Sequence, residues 1–435
     1  MSPLLTSCLP TLVRTCLLAL AAAPCALAPG RAEAQAATVE VSPTGAVRRV
    51  GDALAIAPPG GRVLVRAGTY SEPPLVITRP VTLEGEPGAI LDGGGTHTVL
   101  TVAADDVTVR GLTVRNTGPS QREERAGILV RDARGCRIER NRLEATLFAI
   151  YLSKASDCLV RDNVVRGPGR RQMVSGNGIH VWSSQRVQLT GNDVRGHRDG
   201  IYFEFVTRGR VEGNRSEQSA RYGLHFMFSN DCRYEDNTFR ENGNGVAVMY
   251  STRVEMLRNR FERNWGSAAY GLLLKDINDS RIEGNLFLGN SVGLHLEGAN
   301  RNTVLANTFR ENGWALKTLA NAEGNLFERN AFEANAFDVG TNSRANFSRF
   351  RENFWDRYRG YDLDRNGVGD VPHAPVRLFA LVVEQSPPTL ILLRSLLVDL
   401  LDLAERVIPS LTPETLVDER PLMRRPVLGE AVSGG

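Results

Sequence analysis

Three side chains stand out for the chemistry their types and spacing allow: His225, Met227 and Met249. Met227 follows His225 by two residues and precedes Met249 by 22. On a strand, residues two apart share one face at ~6.8 Å, and stacked strands lie ~4.8 Å apart. If 22 residues bring the chain round to the same lateral position one rung on, an imidazole and two thioethers converge, with Glu204 and Tyr202 one rung below. Thioether sulfur and imidazole nitrogen form a soft donor set suited to Cu(I). Met173, in a longer segment two coils earlier, is a further candidate donor. The same column of aromatic and methionine side chains also fits a face that grips a sugar polymer or another protein. The residue types leave these three readings open.

A second cluster lies near the C-terminus. Asp362, Asp364, Asn366 and Asp370 place oxygen ligands at positions one, three, five and nine of a loop with Gly367 at six, which resembles a calcium loop. Position twelve is His373 rather than a bidentate glutamate, so a tight Asx-rich turn explains the pattern equally well. Paired carboxylates suited to glycoside chemistry are harder to find. Glu204 and Glu297 stand four coils apart, ~19 Å at the rung spacing, and Asp199, beside His197, is alone. A polysaccharide lyase, epimerase or hydrolase is therefore the secondary functional class.

The elements that position these residues are set by an internal repeat. Asn141, Asn163, Asn192, Asn214, Asn237, Asn259, Asn285, Asn307, Asn330 and Asn353 recur mostly every 22 or 23 residues. A small residue opening a short apolar strand keeps the same step, from Gly127 through Gly178, Gly200, Gly223 and Gly245 to Ala315 and Ala336. Two markers in phase over this distance predict an all-β, right-handed parallel β-helix with one asparagine corner per coil. Counted from the small marker, positions one and three are apolar and predicted to point inward; positions two and four, which include His180, His225, Met227 and Met249, point outward. Met256 falls in an inward column and is assigned to the core. The longer steps place insertions at 167–173 and near Trp265. Cys136 and Cys158 sit at one column position on successive coils, within reach of a disulfide and equally readable as two core thiols.

With 52 basic residues against 49 acidic ones and no basic face, nucleic acid is excluded as a partner class. Residues 1–34 read as a signal peptide: Arg14, an apolar stretch from Cys16 to Ala28 too short to span a bilayer, and the small-x-small site Ala32-Glu33-Ala34. That address is periplasmic or extracellular. Residues 35–375 are assigned to the β-helix with an N-terminal cap helix over 46–56. Residues 376–435 form a leucine-rich helical and extended tail, helical from Thr389 to Ile408. Charges within that stretch argue against a spanning helix. Its apolar face, with Leu393, Leu397 and Leu400, is expected to cover the solenoid end or dock on a membrane protein. The segment 418–426, with Arg424 and Arg425, reads as a recognition peptide.

Three stretches carry a family resemblance: Arg221-Tyr-Gly-Leu-His225-Phe-Met227-Phe-Ser-Asn230, Gly245-Val-Ala-Val-Met249-Tyr-Ser251 and Asn353-Phe-Trp-Asp-Arg-Tyr-Arg-Gly-Tyr-Asp362. In these, and in the Asp-rich loop and leucine-rich tail that follow, the chain resembles the NosD-type periplasmic accessory proteins of nitrous oxide reductase maturation. The resemblance implies a non-catalytic role beside the permease and ATPase subunits of an ABC transporter. It also implies a copper chaperone and the nitrous oxide reductase apoprotein as partners, with copper bound transiently. On it, His225, Met227 and Met249 become the leading copper ligands, and the tail becomes the element docked on the permease.

Overall fold

The computed structural model describes residues 37–120, 122–168, 176–343, 347–393, 395–408 and 416–426. The expected leader and Met173 lie outside the described residues. Among the described residues, strands assemble into three parallel sheets of 14, 12 and 13 strands, and in each sheet neighbours are one coil apart in sequence. This is a parallel β-helix. Each coil contributes one strand to each sheet, as with Arg210–Glu212, Arg215–Glu217 and Tyr222–Met227. The 12-stranded sheet, here the front sheet, runs from Leu75–Ile77 to Phe337–Gly340 and carries the longest strands.

Stacking within the coil corners explains the asparagine period. The Oδ1 of Asn285 accepts the backbone N–H (2.8 Å) and Nδ2–H (3.1 Å) of Asn259. Its own Nδ2 donates to Met256 O (2.8 Å) and Asn307 Oδ1 (2.9 Å). The pattern runs from Asn141 to Asn353, satisfying buried corner amides that no sheet reaches. A second ladder, absent from the sequence-based expectation, joins Asn242, Asn264, Asn290, Asn312 and Asn335 at the next corner. Two shorter ladders stand elsewhere: the amides of Val206 and Ser229 donate to the hydroxyls of Ser229 and Ser251, and in another column the Val254 amide donates to Ser280, followed by Asn302 and Asn325. Inside, the residue two after each asparagine builds a stack of rings from Phe239 through Phe261, Phe287, Phe309 and Phe332 to Trp355, with centroids 4.1–5.7 Å apart. Met256 is fully buried among core residues.

The small marker is small because of what lies beside it. A Cβ on Gly245 would stand 2.3 Å from the Gly271 carbonyl oxygen and 2.9 Å from Asn264 Nδ2. The register corrects one marker: Leu316 pairs with Val339, so the partner of Ala315 is Asp338 and not Ala336. Asp338 is buried where the other coils hold glycine or alanine, and burial raises its pKa to about 6. Cys136 and Cys158 face each other on adjacent rungs as free, buried thiols.

Both ends are covered, as a solenoid requires. At the start, helix α1 spans Val50–Ile56, shorter than expected, and Glu72 accepts the amides of Val50 and Gly51 at 2.6 and 3.0 Å. At the far end, the expected helix 389–408 is replaced by three pieces: α2 at Leu378–Gln385, a 3-10 turn at Pro387–Leu392 and α3 at Leu396–Val407. Phe379, Ala380 and Val383 pack on Trp314 and Phe337 of the last front-sheet strands, and Lys317 ion-pairs with Glu384 at 2.5 Å. The segment 418–426 is not a free recognition peptide. Asp418 is fully buried and its Oδ2 accepts from the Asn353 amide, Asn353 Nδ2 and Trp355 Nε1 at 2.9–3.1 Å, ending the asparagine ladder with a carboxylate. Phe350 and Phe354 bridge in parallel to Asp418 and Leu422.

Candidate functional site

The strands Asp199–Glu204, Tyr222–Met227 and Asn244–Met249 lie side by side in the front sheet. Their register pairs Tyr202 with His225, His225 with Ala247, Glu204 with Met227, and Met227 with Met249. The core claims Leu224, Phe226, Val246 and Val248, so the alternate positions face outward as expected. Met227, Met249 and Glu204 are partly exposed.

Position two differs from expectation. It faces away from the core yet is buried: His180, Tyr202 and His225 are 6%, 9% and 5% exposed. The cover comes from the residue just before the small marker, which also turns outward. Tyr222 packs on His225 at 4.8 Å between ring centroids, Phe148 on His180 at 5.4 Å and Tyr270 on His295 at 4.9 Å. Along the column, Tyr151, His180, Tyr202 and His225 follow one another in tilted and edge-on contacts with ring centroids 4.5–4.9 Å apart. Burial lowers the pKa of His180 and His295 to about 4, with the nearby cations Arg198 and Lys317 adding to the effect.

His225 is the unusual member. Neither ring nitrogen has a hydrogen-bond partner, although the ring is enclosed. Buried polar atoms in folded proteins are almost always paired. The carboxylate of Asp199 lies 3.8 Å from Nδ1, too far to bond, because Arg221 holds it through two hydrogen bonds, one of 2.8 Å from Nε. Burial disfavours that carboxylate, and the Arg221 bonds, together with the nearby His225 ring, outweigh burial to hold its pKa below the ordinary range. Tyr202 donates its hydroxyl to Met227 Sδ at 3.7 Å, which fixes the thioether beside the imidazole. Burial pushes the Tyr202 pKa up to about 12, so the hydroxyl stays protonated at neutral pH. The result is one imidazole without a hydrogen-bond partner and two partly exposed thioethers on two adjacent strands, a soft set open on one side. Asp199 and Arg221 were missed as parts of it; Asp199 stands directly before a small marker, a column that simple strand alternation points inward, and Arg221 lies one residue before that column in the next coil.

Other candidates separate from this group. In the 362–370 loop the carboxylates serve their own backbone: Asp362 accepts the amides of Asn366 and Gly367 at 3.1 and 2.9 Å, and Asp370 that of Leu363 at 2.7 Å. Asp364 accepts from Asn366. His373 packs against Trp355 and Tyr358 rather than facing the loop. Among the described residues, no three His, Cys, Asp or Glu side chains gather as a metal cage. In the tail, Leu393 packs toward the cluster under α2 instead of outward, whereas Leu397 and Leu400 are exposed. Arg425 ion-pairs with Glu333 at 3.1 Å; Arg424 is exposed.

Known proteins now bear on this geometry. Residues 167–360 match the family model described as periplasmic copper-binding protein (NosD). The chain is 31% identical over 430 residues to a probable ABC transporter binding protein NosD of Pseudomonas aeruginosa, covering 84% of this chain and 89% of that one. A protein of the same description from Stutzerimonas stutzeri is 31% identical over 136 residues, 31% of each chain. Among solved structures, the A-module of mannuronan C-5 epimerase AlgE6 from Azotobacter vinelandii aligns with TM-score 0.50 at 16% identity, covering 70% of this chain and 87% of that one. A family 28 exopolygalacturonase from Yersinia enterocolitica aligns with TM-score 0.52 at 11% identity, covering 74% and 79%. At such identities the structural likeness is one of fold alone.

Proposed function

The chain belongs to the NosD family of periplasmic copper-binding proteins, and on that premise we propose that it holds Cu(I) transiently through His225, Met227 and Met249. Met173 and Glu204 are outer contributors in this reading. One observation carries it: an enclosed imidazole with both nitrogens unpartnered, beside a thioether already oriented by the Tyr202 hydroxyl. Cu(I) is a soft ion that these donors suit, and a set open on one side suits release. The role is non-catalytic. The cargo serves the copper–sulfide centre of nitrous oxide reductase; a copper chaperone is the donor, the reductase apoprotein the acceptor, and the permease and ATPase of an ABC transporter the membrane partners. Anaerobic Cu(I) titration of the full chain tests the site. Met227→Ala/Met249→Ala is expected to weaken binding about a hundredfold, roughly tenfold per lost thioether. Equal affinity in the variant rejects these ligands.

The tail supplies the attachment in this proposal. Leu396, Leu400, Leu403 and Val407 recur at helical spacing on α3 and are 56–81% exposed. Among the described residues no helix is long and apolar enough to cross a membrane; in this proposal the stripe lies against the permease. Removing everything after Pro387 would also strip Asp418 from the solenoid end, so the clean test is substitution. Leu396→Ser/Leu400→Ser/Leu403→Ser is expected to abolish recruitment to membranes carrying the transporter while leaving the thermal unfolding midpoint in place. Undiminished recruitment rejects the docking role.

A further inference from the structure

The corner that follows the front-sheet strands is left-handed in eight consecutive coils, and in five of them a polar residue or glycine fills it: Asp132, Lys154, Ser183, Asp276 and Gly298. In three consecutive coils it holds aromatic residues instead. Phe205, Phe228 and Tyr250 adopt φ of 54°, 51° and 52°, a region that bulky side chains avoid. They directly follow Glu204, Met227 and Met249. Their rings stack at 5.2 and 5.1 Å with interplanar angles of 7° and 16°, and they are 50%, 38% and 43% exposed. Stacking covers the ring faces that a sugar would need and leaves a strip of ring edges.

Three residues further along each coil a charge ladder shows a break at the same place. Arg186 bonds Asp157, Arg253 bonds Asp231 and Arg301 bonds Asp279, each through two hydrogen bonds to the coil before. Arg208 interrupts the alternation, standing where a carboxylate is due. Neither Arg208 nor Arg210 makes an ion pair among the described residues; both are exposed, on the wall of a groove of about 750 Å³. Aromatic rings and arginine are the side chains that contribute most to protein interfaces.

We infer that this corner, with its strip of ring edges and two arginines outside the paired ladder, is a docking surface for a folded protein whose metal site is rimmed by apolar and acidic side chains. The inference rests on the copper reading for its placement: the strip adjoins the two thioethers, so a partner seated there reaches the ion. Charge complementarity fixes the acidic part, since each other arginine in that ladder already has its carboxylate.

Two sets of variants of the full chain test it: Phe205→Asn/Phe228→Asn/Tyr250→Asn, which places a residue tolerant of the left-handed region at each corner, and Arg208→Glu/Arg210→Glu. Trp265→Ser, an exposed aromatic elsewhere, is the control. Binding is measured to the purified Cu(I)-loaded chaperone and, in a separate arm, to nitrous oxide reductase apoprotein. Each set is expected to weaken binding of at least one probe tenfold or more, with the control unaffected and the Cu(I) titration of every variant equal to that of the parent. Unchanged binding of both probes, an equal loss in the Trp265 control, or no binding of either probe by the parent overturns the inference. If partner binding is lost in the variants while Met227 and Met249 prove irrelevant to copper, the docking surface stands and the copper site falls.

Discussion

Replacing Asn285 by leucine is expected to destabilise the β-helix by about 4 kcal/mol, although the side chain is neutral, near in size and far from any ligand. Four hydrogen bonds end on its amide group: two received from Asn259 and two given to Met256 O and Asn307 Oδ1. Leucine removes all four, leaves the Asn259 backbone amide without a partner in a site with no access to water, and takes one donor from the Met256 carbonyl. Each orphaned buried group costs about 1–3 kcal/mol. Equilibrium urea unfolding measures the change; a loss below 1 kcal/mol would mean that the ladder is decoration on a coil held by its sheets.

The second large effect is acid lability. Burial lowers the pKa of His180, His197, His295 and His373 to about 4. In the unfolded chain a histidine titrates near ~6.5. Between those values the unfolded state binds more protons, so stability is full above pH ~6.5 and is lost as pH falls towards 4. Each histidine contributes up to about 3 kcal/mol. Asp338 works in the opposite sense: with a folded pKa of about 6 it binds its proton earlier than in the unfolded chain, and it offsets part of the loss. Urea midpoints are therefore expected to drop steeply between pH 6.5 and 4, and His197→Gln is expected to remove about one proton from that slope. A midpoint flat from pH 7 to 5 would show that these rings are not enclosed in solution.

The architecture was legible because two markers repeat in phase and each has one physical cause: the asparagine satisfies the next corner, and the glycine leaves room for the neighbouring carbonyl. The ends resisted. Asp338 replaces the small residue in the last front-sheet strand, which broke the marker pattern there. Asp418 closes the asparagine ladder from 65 residues away, a contact that no period announces. At the site, the alternation placed Met227 and Met249 correctly on the outer face. It failed for Asp199 and Tyr222, because the turn at the marker glycine brings the preceding side chain outward too, and that side chain encloses His225. The aromatic corner of Phe205, Phe228 and Tyr250 was not read from the sequence, although the three stand in phase; the positive φ shows that they occupy a position where bulky residues are disfavoured.

The carboxylate of Asp418 has one more consequence. A growing β-helix offers at its open face the same unpaired amides and carbonyls as the free edge of any sheet, so a second copy could add as readily as the next coil. By receiving the last asparagine while offering no amide of its own, Asp418 acts as a chain terminator in the polymer chemist's sense: the register cannot be copied past it.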